Sequence, residues 1–281
     1  MITKKFTYAL TAALLTAGVA IGQNEATVEQ NNDFNEATVE QIGSNTAEVN
    51  QISKASAPSE KNDASVMQDG QGNFLDYDVK GHTNTLDADQ EGPGNQAVIQ
   101  QGTWHDGDFN YGNDVKVEQI SYGMEAGDVE ATEAHGGNQA YLKLKGDKND
   151  IDVKQEGTAN YIGGGLEGVA PEGGGEIGAA SHHFFRYEGD ASTIDMDQEG
   201  LGNGVLGEVH NSYGTVRTDQ SGMGNFTLLS VGAESGLRFN NEIMVEQEGN
   251  WNRAGISQES NANKATIHQN GMGNTSGVMQ R

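Results

Sequence analysis

Side chains with reactive chemistry are few in this chain and poorly placed for it. The 281 residues include no cysteine, which excludes thiolate nucleophiles, thiolate metal sites and disulfides. The seven histidines form no spaced ligand set. In the one adjacent pair, His182-His183, a strand would point one ring inward and the other outward, a poor metal site. The pairs Asp76/Asp78, Asp87/Asp89 and Asp195/Asp197 offer carboxylates for acid-base work or for calcium, but no EF-hand or nonapeptide motif frames them. They read as solvated charge. No nucleophile elbow or phosphate loop occurs. The expectation is a protein that is not an enzyme and has no cofactor and no metal.

The side chains that do recur at fixed spacing are amides, and their chemistry is hydrogen bonding. Asn24 to Gln30 reads NEATVEQ, and Asn35 to Gln41 reads NEATVEQ again. The underlying frame, Asn-x-small/aliphatic-x-aliphatic-x-Gln, starts at positions 24, 35, 45, 62, 73, 84, 95, 113, 138, 149, 160, 181, 192, 203, 214, 225, 241, 252, 263 and 274. Asn opens seventeen of these twenty frames, with Ser181, Ser192 and Gly214 as exceptions. Gln closes fourteen, with Val79, Leu144, Leu166, Tyr187, Val209 and Val231 in the other six. Buried amides without partners would cost a few kcal/mol each. Stacked in register, each can donate to the copy above and accept from the copy below, as in cross-β ladders.

The elements that must position these amides are strands. Within a frame, Asn252, Ala254, Ile256 and Gln258 alternate with Arg253, Gly255 and Ser257, a period of two. An eleven-residue step also suits a right-handed coiled coil, but the glycine in most repeats would cost about 1 kcal/mol each in a helix interior. That glycine follows the closing slot by two, as in Gln90-Glu91-Gly92 and Gln247-Glu248-Gly249, where a turn needs positive φ. Two frames make one coil. The fold class expected is all-β, a two-sheet β-solenoid of about ten 22-residue strand-turn-strand coils with loop insertions at turns. At about 4.8 Å per coil the rod would be about 48 Å long. A long parallel β-helix enzyme is disfavoured, since two thin sheets leave no cleft.

Insertions are expected as side loops at about 52–61, 102–112, 120–137, 167–180 and 232–240, always at turns and never inside a frame. Strict alternation would send those after Gln51, Gln101 and Leu166 out from one edge, and those after Gln119 and Val231 from the other. Residues 1–22 read as a secretory leader: Lys4 and Lys5, an apolar run from Phe6 to Ile21, and a small-residue cleavage site at Ala20-Ile21-Gly22. Residues 23–281 are then one repeat domain outside the cytoplasm. The 41 acidic against 16 basic residues disfavour nucleic acid and anionic membranes, and no later run is apolar enough for membrane insertion as a helix.

The segments Gln90-x-Gly92-x-x-Asn95-x-Ala97-x-x-x-Gln101, Gln247-x-Gly249-x-x-Asn252-x-Ala254-x-x-x-Gln258 and Gln258-x-Ser260-x-x-Asn263-x-Ala265-x-x-x-Gln269 resemble the curlin repeat of curli subunits. Asn opens both arms here, where that family sets Ser on one, and the coils outnumber those of the well-known subunits. The resemblance implies a secreted subunit that polymerises into functional amyloid at the bacterial cell surface, in a biofilm matrix. Its implied partners are copies of itself in a head-to-tail homopolymer, other curlin-type subunits, a nucleator and a dedicated outer-membrane secretion pore. The Gly/Asn-rich export segment of that family is not evident before Asn24.

Both ends of the repeat look uncapped, so unpaired edges face outward. The expected polymerisation edge strands carry Asn24, Ala26, Val28 and Gln30 at one end, and Asn274, Ser276, Val278 and Gln280 at the other. The expected stacking ladder includes Asn95, Gln101, Asn252, Gln258, Asn263 and Gln269. The alternatives are a nucleating minor subunit and a monomeric adhesive or ice-binding solenoid. Acidification is expected to quicken assembly by weakening repulsion between outward carboxylates.

Overall fold

The computed structural model describes residues 24–31, 35–52, 61–101, 110–122, 137–163, 185–232 and 238–281. The leader, the His182-His183 pair and most of each expected side loop lie outside the described residues. Among those described the protein is all-β, with twenty strands from Glu25–Asn31 to Thr275–Gln280. Every pairing is parallel, and the strands stack in register, as between Thr193–Leu201 and Thr215–Met223, apart from one shift between Ser44 and Thr46 where Glu36–Ile52 meets Asp63–His82. A parallel stack of repeats is what a period-two pattern with one apolar side requires, because a single hairpin cannot cover that side.

The pairings form two ladders. Ladder one stacks the strands opened by Asn24, Asn45, Asn73, Asn95, Asn138, Asn160, Asn203, Asn225, Asn252 and Asn274. Ladder two stacks those opened by Asn35, Asn62, Asn84, Asn113, Asn149, Ser192, Gly214, Asn241 and Asn263. The chain alternates between them, and strands Glu36–Ile52 and Asp63–His82 are continuous enough to serve both. Inward Ala, Val, Ile and Leu of both ladders form one buried cluster, including Ala97, Ile99, Val153, Ile194 and Val245.

The register corrects three expectations. The frames starting at 160 and 181 share one rung: Tyr161 and Ile162 pair with Gln139 and Ala140, while Phe185 to Glu188 pair with Leu142 to Lys145. The same split strand pairs upward with Gly204, Val205 and Glu208 to His210. Among the described residues the twenty frames therefore make nineteen rungs, ten in ladder one and nine in ladder two. Second, this insertion leaves from inside a strand, not at a turn. Third, the merger shifts the alternation, so the Asn225 strand lies in ladder one and the segment after Val231 leaves from the same edge as those after Ile52 and Gln101. The rung tolerates interruption because the rungs on either side carry its register.

Corner glycines take the conformation their position demands. Gly200 has φ +112°, and a β-carbon there would lie 2.1 Å from the carbonyl oxygen of Gly222 in the next coil. Gly249, at φ +106°, faces Gly271 in the same way at 2.2 Å. Such close axial stacking leaves room only for hydrogen.

Candidate functional site

The amides form two different hydrogen-bonded columns. In ladder two, the closing glutamines run Gln41, Gln68, Gln90, Gln119, Gln155, Gln198, Gln220, Gln247 and Gln269 without a break. Each Nε2 donates to the next Oε1 at 2.7–2.8 Å. The other N–H of each crosses to a backbone carbonyl of ladder one, as from Gln41 to Glu25 at 3.1 Å and from Gln155 to Gln139 at 3.0 Å. This second bond fixes which amide atom is nitrogen, so all the bonds point the same way along the rod. It also joins the end of one frame to the start of the facing one, so the ladders run in opposite directions.

Ladder one closes differently. Gln30 donates to Gln51 at one end (2.9 Å) and Gln258 to Gln280 at the other (2.8 Å). Between them stand buried Val79, Leu144, Tyr187, Val209 and Val231. Gln101 of the expected ladder falls between Val79 and Leu144 and pairs with no glutamine. Its Oε1 accepts from the Tyr77 hydroxyl at 3.2 Å, and its Nε2 is without a partner. The orphaned Gln51 Nε2 and Gln258 Oε1 arise likewise, each facing valine on the apolar side of its boundary. Tyr187 fills its slot with a ring and donates its hydroxyl to the Asn211 carbonyl. Burial pushes the Tyr187 phenol well above its ordinary range.

The opening asparagines do not simply bond amide to amide. Each Oδ1 accepts the backbone N–H of the next asparagine: Asn138 N–H reaches Asn95 Oδ1 at 3.0 Å, and Asn274 N–H reaches Asn252 Oδ1 at 3.1 Å. Their Nδ2 groups satisfy corner carbonyls, such as Glu91 O from Asn95 (2.8 Å) and Ser260 O from Asn263 (2.9 Å). In ladder one this column is unbroken from Asn24 to Asn274. In ladder two Gly214 lacks a side chain, and Asn211 from the preceding corner supplies the amide, accepting from Asn241 N–H at 3.3 Å. A β-carbon at Gly214 would lie 1.6 Å from Asn211 Nδ2. Nothing in the frame pattern marks Asn211 for this role; the missing side chain at Gly214 is the one signal that could have found it.

At the terminal rungs the inward side is open. Asn24, Ala26, Asn274 and Ser276 are exposed, and Val28, Gln30, Val278 and Gln280 are only partly buried, whereas the equivalent Ala97, Ile99, Val153 and Val245 are fully enclosed. The polar groups left over are complementary. The Asn24 end offers a backbone N–H and the Gln30 and Gln41 Oε1 atoms; the far end offers the Asn263 and Asn274 Oδ1 atoms with Gln280 Nε2 and with Gln269 Nε2, whose second N–H here meets Ser276 Oγ at 3.2 Å.

Outward positions carry charge on both ladders. Ladder two carries Asp87, Asp89, Asp150, Asp152, Asp195 and Asp197, interleaved with Lys116, Lys154 and Arg217. Ladder one mixes Phe74, Val98, Tyr141, Leu206, Phe226 and Leu228 with Glu48, Asp76, Asp78, Lys143, Arg186 and Glu208. Partial burial, aided by neighbouring carboxylates, raises the carboxyls of Asp76, Asp89 and Asp197 above their ordinary range. Among the described residues no three His, Asp or Glu side chains converge as a cation site.

Residues 240–271 match the curlin associated repeat. That stretch holds strands Glu242–Asn250 and Arg253–Gln258 and nearly all of Lys264–Met272. No curated protein matches the chain as a relative.

Proposed function

We propose that this chain, which carries the curlin repeat, is a secreted structural subunit that self-assembles into curli-like functional amyloid fibres. It would serve biofilm matrix and surface adhesion at the bacterial cell surface, with assembly by templated strand addition in place of catalysis. In this reading the ladders are two facing sheets wound into nine and a half coils. The observation that carries it is the pair of open terminal rungs, whose donors and acceptors match across opposite ends of a column that points one way. An incoming copy extends both columns and covers half-exposed Val28, Val39 and Val278. Burial of those side chains supplies apolar stabilisation, and the amides set the register.

Incubation of the purified chain, followed by electron microscopy and fibre diffraction, tests the reading. Unbranched fibres with a meridional spacing of about 4.7–4.8 Å are expected. A persistent monomer, in dilute and in mildly acidic buffer, would refute it.

A further inference from the structure

The odd rung count governs how two copies can meet. Among the described residues, alternation begins in ladder one, at Asn24 to Gln30, and ends in ladder one, at Asn274 to Gln280. No described strand occupies the next position along the winding, over Asn263 to Gln269 on ladder two. A second copy added in the same orientation would seat its first strand over Asn274 to Gln280 and leave that position unfilled. Its Asn35 strand would then sit about 9.6 Å above Asn263, twice the strand spacing and beyond hydrogen-bond reach.

We propose, resting on the fibre reading above, that successive copies are related by a half-turn about the rod axis, so that ladder one of each continues ladder two of its neighbour. The half-turn also reverses strand direction. Because the two ladders run oppositely, pairing across the junction stays parallel. The Asn24 strand fills the position over Asn263 to Gln269, and the Asn35 strand lies over Asn274 to Gln280. Both columns then continue: Gln269 Nε2 meets Gln30 Oε1 of the next copy, and Gln280 Nε2 meets Gln41 Oε1.

Two features fit this junction, and the first of them is missing from the unrotated one. Outward charges match. Lys264 and His268 already pair with Glu242 at 2.7 Å and Glu246 at 2.9 Å within their own copy. The half-turn places Glu25 and Glu29 of the next copy on their other side, so each basic side chain lies between two glutamates. Without rotation, those glutamates would face Thr275 and Met279. The second feature is the doubled NEATVEQ. In this junction the first two strands of each copy seat on opposite ladders of its neighbour, and identical sequences let both present the same set of groups to the Asn/Gln columns.

The chain has no cysteine, so Thr215→Cys, on the outward side of ladder two, gives a unique site for a gold label. Along single fibres, labels are expected on alternating flat faces, with an axial step of about 46 Å from nineteen rungs at half the coil spacing. Labels on one face only, or without order between faces, would overturn the half-turn while leaving the fibre reading intact. A chain that never forms fibres would refute both. Separately, Lys264→Glu should slow elongation about fivefold, and adding Glu25→Lys to the same chain should restore it. A double variant as slow as the single one would also overturn the proposal.

Discussion

Replacing Gln155 by leucine tests whether the one-way amide column carries stability as well as register. Gln155 accepts from Gln119 at 2.8 Å and donates to Gln198 at 2.8 Å and to the Gln139 carbonyl at 3.0 Å. Leucine has similar bulk, so the main cost is not a cavity but the stranding of the Gln119 N–H and the Gln198 Oε1 in a buried site. At about 1–3 kcal/mol for each of the two orphaned groups, the variant should lose about 2–6 kcal/mol. Gln101→Leu is the internal control. That side chain already lies between Val79 and Leu144 with an unpartnered Nε2, so leucine strands the Tyr77 hydroxyl but removes one orphaned donor, and the two nearly offset, leaving a change within about 1 kcal/mol. Urea midpoints of the monomer at submicromolar concentration measure the difference. Amide exchange at the Gln119, Gln155 and Gln198 rungs localises it, since stacked repeats need not unfold in one step. The reasoning fails if Gln155→Leu is as stable as the parent, or if both leucine variants lose the same amount.

Gly200→Ala should cost about 3 kcal/mol or more, because its β-carbon would meet the Gly222 carbonyl at 2.1 Å, whereas Gly202→Ala, with nothing within 4 Å, should cost about 1 kcal/mol. Comparison of urea midpoints checks both. Acidification should raise stability and quicken assembly at first. Asp76, Asp89, Asp152, Asp197 and Asp219 have carboxyls raised chiefly by partial burial. The folded chain therefore binds more protons than the unfolded one between the ordinary and the raised values, and the penalty present above that window is relieved as pH falls through it. Glu208, lowered by hydrogen bonding to His210, opposes this trend. Melting temperature and seeded growth rate measured from pH 7 down to pH 4 check the sign, and a monotonic fall in both would contradict it.

The period of the fold was legible because strand, amide and glycine each mark it separately. Alternation in Asn252 to Gln258 sets the inward face, and the glycine two places on sets the corner, which lies at φ +106° at Gly249. The split rung was not legible. Asn160-Tyr-Ile and Phe185-Arg-Tyr187 each contribute part of one strand, and each is flanked by residues that complete a plausible frame by composition alone. Sequence periodicity counts frames, whereas only pairing counts rungs. The Asn95 amide oxygen accepts a backbone N–H, whereas Asn252 Oδ1 accepts both the backbone N–H and the side-chain N–H of Asn274, a distinction that the shared frame does not carry. The break at Gln101 needed knowledge of vertical neighbours, as Val79 and Leu144 are far from it in sequence.

The nine glutamines of ladder two have an electrical consequence. Eight carboxamide bonds aligned head to tail polarise one another, each strengthening the next, and their dipole moments add along the rod as peptide dipoles add along a helix. The opening asparagines aim their Oδ1 atoms the opposite way along the rod and offset part of that moment. In the proposed fibre each added copy would lengthen the remainder without reversing it, so a filament should turn in an applied field.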